Sequence, residues 1–132
     1  VAQKMAGFGL KMIAYDPMLD QQAAQELGVT PVSFEQLLMD SDYLSIHCPL
    51  NESTRHIFNQ EAFRLMKPTA VLVNTARGAV VDEQALIQAL SDGQIAMAGL
   101  DVTASLQRKG AEEVARVLRG ETPQNPVNHP KL

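Results

Sequence analysis

The stretch 70–102 limits what this chain can fold into more than any other. AVLVN (70–74) is an apolar, β-branched run ending on a polar residue, and VVDEQALIQALSDG (80–93) reads as a helix entered through Asp82 and left at Gly93. TARG (75–78) lies between them, and IAMAGLD (95–101) closes the unit as a second buried strand ending in a carboxylate. This order of strand, loop, helix and strand puts Arg77 and Asp101 at the C-terminal ends of strands, where ligands bind in an open α/β sheet.

The same alternation runs through the residues before it. Val1, Ala2, Met5 and Ala6 recur at helical spacing and Gly7 and Gly9 close the pattern, so the opening reads as the last turns of a helix. KMIAYDP (11–17) is a short strand delivered to Asp16, with Pro17 breaking away from the sheet. Helix, strand and acidic residue form the second half of a nucleotide-binding βαβ unit, whose first strand and glycine-rich turn would lie upstream of Val1. LDQQAAQEL (19–27) fits a short helix stopped by Gly28, and 29–32 is a brief extended piece. Ser33 and Gln36 make a capping box for a helix whose inward face carries Phe34, Leu37 and Leu38. YLSIHCPL (43–50) is a strand that stops near Cys48, because Pro49 cannot continue a ladder. NESTRHIFNQEAFRLMKP (51–68) starts as a polar loop and turns helical after Asn59, carrying Ala62, Phe63 and Met66 inward. Strands alternating with helices at this density favour a parallel sheet covered on both faces. The expected fold is therefore α/β, a Rossmann-like three-layer parallel sheet that is incomplete. After Val102 the strand signal ends; 106–120 is an amphipathic helix with Ala111, Val114, Ala115 and Leu118 on one side, and 121–132 reads as an extended, proline-rich tail.

Composition removes several classes of function. With 132 residues, 45% of them hydrophobic, the chain can bury one moderate core. Lys plus Arg total 11 against 15 Asp plus Glu, a net charge of -4, and no basic stripe offers a surface to nucleic acid. The single cysteine, Cys48, excludes an intramolecular disulfide and a cysteine-cluster metal site. No signal-peptide pattern opens the chain and no window approaches roughly 18 uninterrupted apolar residues, so a soluble, cytoplasmic protein without a membrane partner is expected.

Among the chemical residues, Asp16 at a strand end can accept the hydroxyl hydrogens of an adenine ribose and would repel an added phosphate; the alternative is a plain Asp-Pro turn. Arg77 offers a planar fork of donors to a carboxylate, against the alternative of a salt-bridged or merely exposed arginine. Thr75 and Ala76 are small enough for a flat cofactor to approach the backbone. Asp101 could orient a carboxamide or a cationic ring, or cap a helix or turn beginning just after it. His47, read as lying within a strand, suits a hydrogen-bonded structural role, and the spacing of His47, His56 and His129 carries no metal-site signature. Cys48 has no paired base in sequence that would make it a nucleophile.

AYDP, HCPL, NTARGAVVDEQAL and AGLDV, in this order and at these separations, resemble the nucleotide-binding domain of the D-isomer-specific 2-hydroxyacid dehydrogenases, which include phosphoglycerate dehydrogenase and hydroxypyruvate or glyoxylate reductases. The resemblance covers 1–102 as a dinucleotide-binding domain lacking its first strand and glycine-rich turn, and 103–132 is similar to the family's closing helix and tail. It implies NAD as cofactor, a 2-hydroxy or 2-keto acid as substrate, and a homodimer paired through the cofactor-binding domain. It also implies that Asp16, followed by Pro17, holds the adenosine ribose, that Cys48-Pro49 packs near the cofactor, and that Thr75 and Ala76 line the nicotinamide side. Arg77 then binds the substrate's carboxylate and keto oxygen, and Asp101 lies by the nicotinamide carboxamide.

The family's catalytic glutamate should come closely after GLDV, and its catalytic histidine should stand in a Pro-His motif before the last helix. Here GLDV runs into TASLQRKG, which implies an internal gap of a few tens of residues near 103–106. His129 lies beyond the closing helix and does not take that role. Two readings fit: the sequence joins pieces of a longer enzyme, or it is a truncated, internally deleted relative. The first is preferred because the breaks fall at a ligand turn and at an active-site segment. A denatured mass near 14.4 kDa would reject it. The expected function is hydride transfer between NAD(H) and a 2-hydroxy or 2-keto acid by the intact parent, and the alternative, for a chain truly this short, is a non-catalytic dinucleotide-binding or interaction protein.

Overall fold

The computed structural model describes residues 1–101. The expected closing helix (106–120), the tail (121–132) and His129 lie outside the described residues. In chain order the elements are α1 (Ala2–Met5), β1 (Met12–Ala14), α2 (Gln21–Glu26), β2 (Val29–Pro31), α3 (Phe34–Asp40), β3 (Tyr43–Ile46), α4 (Gln60–Leu65), β4 (Val71–Asn74), α5 (Glu83–Ser91) and β5 (Met97–Leu100).

Short-range chemistry sets where the helices begin. Ser33 Oγ accepts the Gln36 N–H at 3.1 Å to start α3, and Asn59 Oδ1 accepts the Ala62 N–H at 3.0 Å to start α4. Asp82 Oδ1 accepts the N–H groups of Gln84 and Ala85 at the head of α5, and the chain leaves α5 through Gly93 at φ 68, which a side chain would strain. Asp20 caps α2 in the same way as Asp82 caps α5. The opening turn is helical, as its spacing suggests, and continues as a 3-10 turn (Ala6–Phe8), but it buries no residue.

Among the described residues all strand pairing is parallel. β1 pairs with β2, and β3, β4 and β5 lie side by side in that order as a separate three-stranded sheet. In the larger sheet the register sets Leu44 beside Leu72 and Ala98, and Ile46 beside Asn74 and Leu100. Leu44, Ile46 and Leu72 of these rows join Leu38, Ala62, Phe63, Leu86 and Ala89 in the core, so α3, α4 and α5 cover this face. The alternate rows, Tyr43 with Val71 and Met97, and Ser45 with Val73 and Gly99, turn to the other face. There Tyr43 is 77% and Met97 61% exposed, so among the described residues only one face of this sheet is covered. The parallel α/β architecture is thus present in incomplete form. A second difference concerns the strand at 43–48: β3 ends at Ile46, which puts His47 and Cys48 in the exit loop.

The exit loops of β3 and β4 are joined behind the sheet end. His56 N–H donates to the Ala79 carbonyl, Phe58 N–H to Val80, and Asp82 N–H back to Phe58, giving a short parallel bridge between Phe58 and Val81. His56 adopts φ 51, a left-handed conformation that needs such support in a residue with a side chain.

Candidate functional site

A cavity of about 530 Å³ opens at the C-terminal ends of β3 and β4, lined by His47, Cys48, Pro49, Leu50, Ala76 and Arg77. Its first wall is the exit loop of β3. Thr54 Oγ1 donates to the Pro49 carbonyl at 2.6 Å, and Asn51 Oδ1 accepts the N–H groups of Ser53 and Thr54, so the turn after Leu50 is held by its own side chains. Its second wall is the loop between β4 and the 3-10 turn Gly78–Val80.

Arg77 is exposed in extended backbone, φ -145 and ψ 133, and its Nη1 donates to the Ala76 carbonyl at 2.7 Å. Among the described residues the ion pair formed is Lys67 with Asp42, at the far end of the sheet, and no carboxylate pairs with Arg77. Of the alternatives weighed from sequence, Arg77 is an exposed arginine and, among the described residues, not a salt-bridged one. Four of the sequence-derived candidates, Cys48, Pro49, Ala76 and Arg77, therefore meet at one cavity. Thr75 is exposed in the same loop, and Asp101 is tied to it through its N–H, which donates to the Asn74 carbonyl at 3.0 Å.

Asp16 and Pro17 stand after β1 and are not among the lining residues. Asp16 Oδ1 accepts the Met18 N–H at 2.8 Å, as the turn reading has it, and its second carboxylate oxygen has no partner among the described residues. Burial raises the Cys48 thiol above its ordinary value, more than its backbone hydrogen bond lowers it, which lowers its thiolate fraction near neutral pH. His47 Nε2 lies 2.8 Å from Ser45 Oγ, the hydrogen-bonded role expected of it, although it sits on the cavity wall and not in the strand. Among the described residues no three His, Cys, Asp or Glu side chains converge as a metal site, and no helix is long and apolar enough to cross a membrane.

Sequence reasoning passed over Asn74, which is 1% exposed at the end of β4. Its Nδ2 donates to the Arg77 carbonyl at 2.9 Å and its Oδ1 accepts the Ala76 N–H at 3.0 Å. The available signal was its place in AVLVN: alternation sets Asn74 on the same face as Leu72, and a polar side chain on a buried face must find partners.

The donor set fits a dinucleotide and an acid at these strand ends: a carboxylate after β1, small residues after β4, and a guanidinium on the cavity wall. The glyoxylate reductase of Thermococcus litoralis is 49% identical over 102 residues, covering 77% of this chain and 31% of the relative. The D-3-phosphoglycerate dehydrogenase of Methanocaldococcus jannaschii is 34% identical across the whole chain and 31% of its own length. Among solved structures, the D-lactate dehydrogenase of Aquifex aeolicus, complexed with NAD and lactic acid, superposes with a TM-score of 0.77 at 33% identity, over 93% of this chain and 36% of that one. A D-isomer specific 2-hydroxyacid dehydrogenase of Lactobacillus delbrueckii in its NAD-complexed form gives 0.74 at 40% identity, over 79% of this chain and 31% of that one. The chain thus spans about a third of the length of these relatives. The family described as D-isomer specific 2-hydroxyacid dehydrogenase, NAD binding domain, matches residues 1–119, and with that match the chain belongs to this family and its cofactor is NAD.

Proposed function

We propose that this chain is the nucleotide-binding part of a larger dehydrogenase that interconverts a 2-hydroxy acid and a 2-keto acid, with glyoxylate and hydroxypyruvate as the keto acids to try first. The observation that carries the reading is the guanidinium of Arg77, exposed on the wall of a strand-end cavity and paired with no carboxylate among the described residues. The organisation proposed is a dinucleotide-binding unit over 1–102, with 103–132 as a closing helix and tail after an internal gap. Support for the gap comes from the phosphoglycerate dehydrogenase, whose alignment runs over 163 positions against 132 residues here.

NAD, when bound, supplies or accepts the hydride. The residues of this chain bind and orient. Arg77 has donors beyond the one given to Ala76, and two of them in parallel match a carboxylate in a way a point charge does not. The same cation beside a ketone favours negative charge collecting on its oxygen, so it serves orientation and transition-state electrostatics together. Thr75 and Ala76 present little bulk where a flat ring would approach, and Cys48 and Pro49 form the opposite wall. Asp101, tethered by its N–H to Asn74, would orient the carboxamide of the bound dinucleotide. The second carboxylate oxygen of Asp16 would accept from the ribose, with Pro17 turning the chain away to leave room. No proton transfer is assigned to His47, whose Nε2 is engaged with Ser45.

Reduction of glyoxylate or hydroxypyruvate by the intact protein, monitored as consumption of reduced NAD, tests the reading. Turnover of either acid is expected. Tight NAD binding with no turnover of a panel of 2-keto acids would favour a non-catalytic binder. The carboxylate of Asp16 also predicts weaker binding of the phosphorylated dinucleotide, a preference that Asp16→Ala should erase; equal dissociation constants in the unaltered protein would reject that role. A cytoplasmic homodimer completes the proposal, and sedimentation as a single protomer would contradict the dimer.

A further inference from the structure

A buried asparagine at the end of a parallel strand needs a reason. An apolar residue of similar size would fill the position without the desolvation cost of a carboxamide, which is recovered only if both ends of the amide are hydrogen-bonded. Asn74 meets that condition, and both side-chain partners are in the arginine loop. Nδ2 holds the carbonyl of Arg77 and Oδ1 holds the N–H of Ala76. The Arg77 carbonyl also accepts the Val80 N–H at 3.3 Å, while the main-chain carbonyl of Asn74 takes the Asp101 N–H. One fully packed residue thus fixes the backbone on both sides of the Ala76–Arg77 peptide and the start of the segment after β5.

We propose that Asn74 is a positioning residue for Arg77: its carboxamide holds the 75–77 loop in the one conformation that sets the guanidinium on the cavity wall. This inference rests on the reading of Arg77 as the anchor of the substrate carboxylate. A fork of two donors loses its advantage when its base can swing, because displacement of about 1 Å at a reacting centre can cost on the order of a hundredfold in rate. Asn74 itself is buried beneath the loop and acts only through its neighbours.

The test is a double-mutant cycle in the intact dehydrogenase with Asn74→Ala, Arg77→Ala and both, reading kcat/KM for glyoxylate, the NAD dissociation constant and the melting temperature. Asn74→Ala should lower kcat/KM roughly ten- to a hundredfold while NAD affinity stays within about threefold. In the Arg77→Ala background the same change should cost no more than about twofold, because the group it positions is gone. Losses that multiply would overturn the proposal and leave the Arg77 reading standing. So would full efficiency in Asn74→Ala beside an impaired Arg77→Ala. Full efficiency in Arg77→Ala would instead remove the Arg77 reading, and the proposal with it. If Asn74→Ala melts below the assay temperature, Asn74→Asp takes its place in the cycle. It keeps an acceptor for Ala76 and lacks the donor to Arg77 until protonated, so its efficiency relative to the unaltered enzyme should rise as pH falls. A ratio independent of pH would count against the clamp.

Discussion

The two sheets of this chain are built from the same alternation of strand and helix, yet only one of them carries a core. Among the first 32 residues Ala24 alone is fully buried, and Phe8 and Met18 stand 73% and 89% exposed. From α3 onward, Leu38, Leu44, Phe63, Leu72, Leu86 and Ile95 close on one another between the helices and the inner face of β3–β5. The halves meet through Tyr15, Phe34 and Phe58, whose successive ring centroids are 5.5 Å apart. Local pattern is enough to form parallel strands, but stability depends on how much apolar surface each strand covers. The division also separates the proposed tasks, with the ribose carboxylate on the thinly packed half and the acid-binding arginine on the packed half.

The largest expected effect breaks the packed half. Phe63→Ala removes a ring with no exposed surface and should cost about 3–5 kcal/mol, whereas Ile13→Ala in half-buried β1 should cost about 1 kcal/mol. Denaturant unfolding of the two variants measures the contrast, and equal losses would mean that the two halves share one core. A finer comparison uses identical chemistry in both halves. Asp82→Ala should lower global stability by about 1 kcal/mol, while Asp20→Ala, capping the largely exposed α2, should fray its own helix and move the global transition by less than about 0.5 kcal/mol. Amide exchange of Gln22 and of Gln84 separates local from global loss, and matching shifts in the global transition would erase the distinction.

The smallest effect is at the cavity wall. Because burial raises the Cys48 thiol, less thiolate is present at any given pH, so alkylation by iodoacetamide near neutral pH should be a few-fold slower than that of an unhindered thiol. The rate should climb as pH passes the thiol's ordinary value, and NAD should slow it further. Fast alkylation at neutral pH, unaffected by NAD, would remove Cys48 from the wall.

Much of this was legible in the sequence because the governing interactions are short-ranged. The caps at Ser33, Asn59 and Asp82 bond to residues two or three positions away, and each helix starts where its cap stands. The strand ends at Arg77 and Asp101 come from the same local punctuation. What was not legible depends on contacts between distant segments. The bridge from Phe58 to Val81 joins two loops more than twenty residues apart, and Leu50 reaches the cavity only because that bridge and the Asn51–Thr54 turn fold its loop back. Asn74 reads as a strand terminus until the loop above it is seen to close on its amide. The face bearing Tyr43 and Met97 has the apolar character of a covered one and is uncovered among the described residues.

The proposed division has the packed half bind the acid through Arg77 and the other half select the dinucleotide. Measuring kcat/KM for glyoxylate and the NAD dissociation constant in Arg77→Ala and Arg77→Lys of the intact dehydrogenase tests it most directly. Arg77→Ala should lose roughly thirty- to several-thousandfold in kcat/KM with fold and NAD affinity preserved, and Arg77→Lys should recover only part of that loss. Unchanged kcat/KM in a folded, NAD-binding Arg77→Ala protein would remove Arg77 as the anchor of the acid.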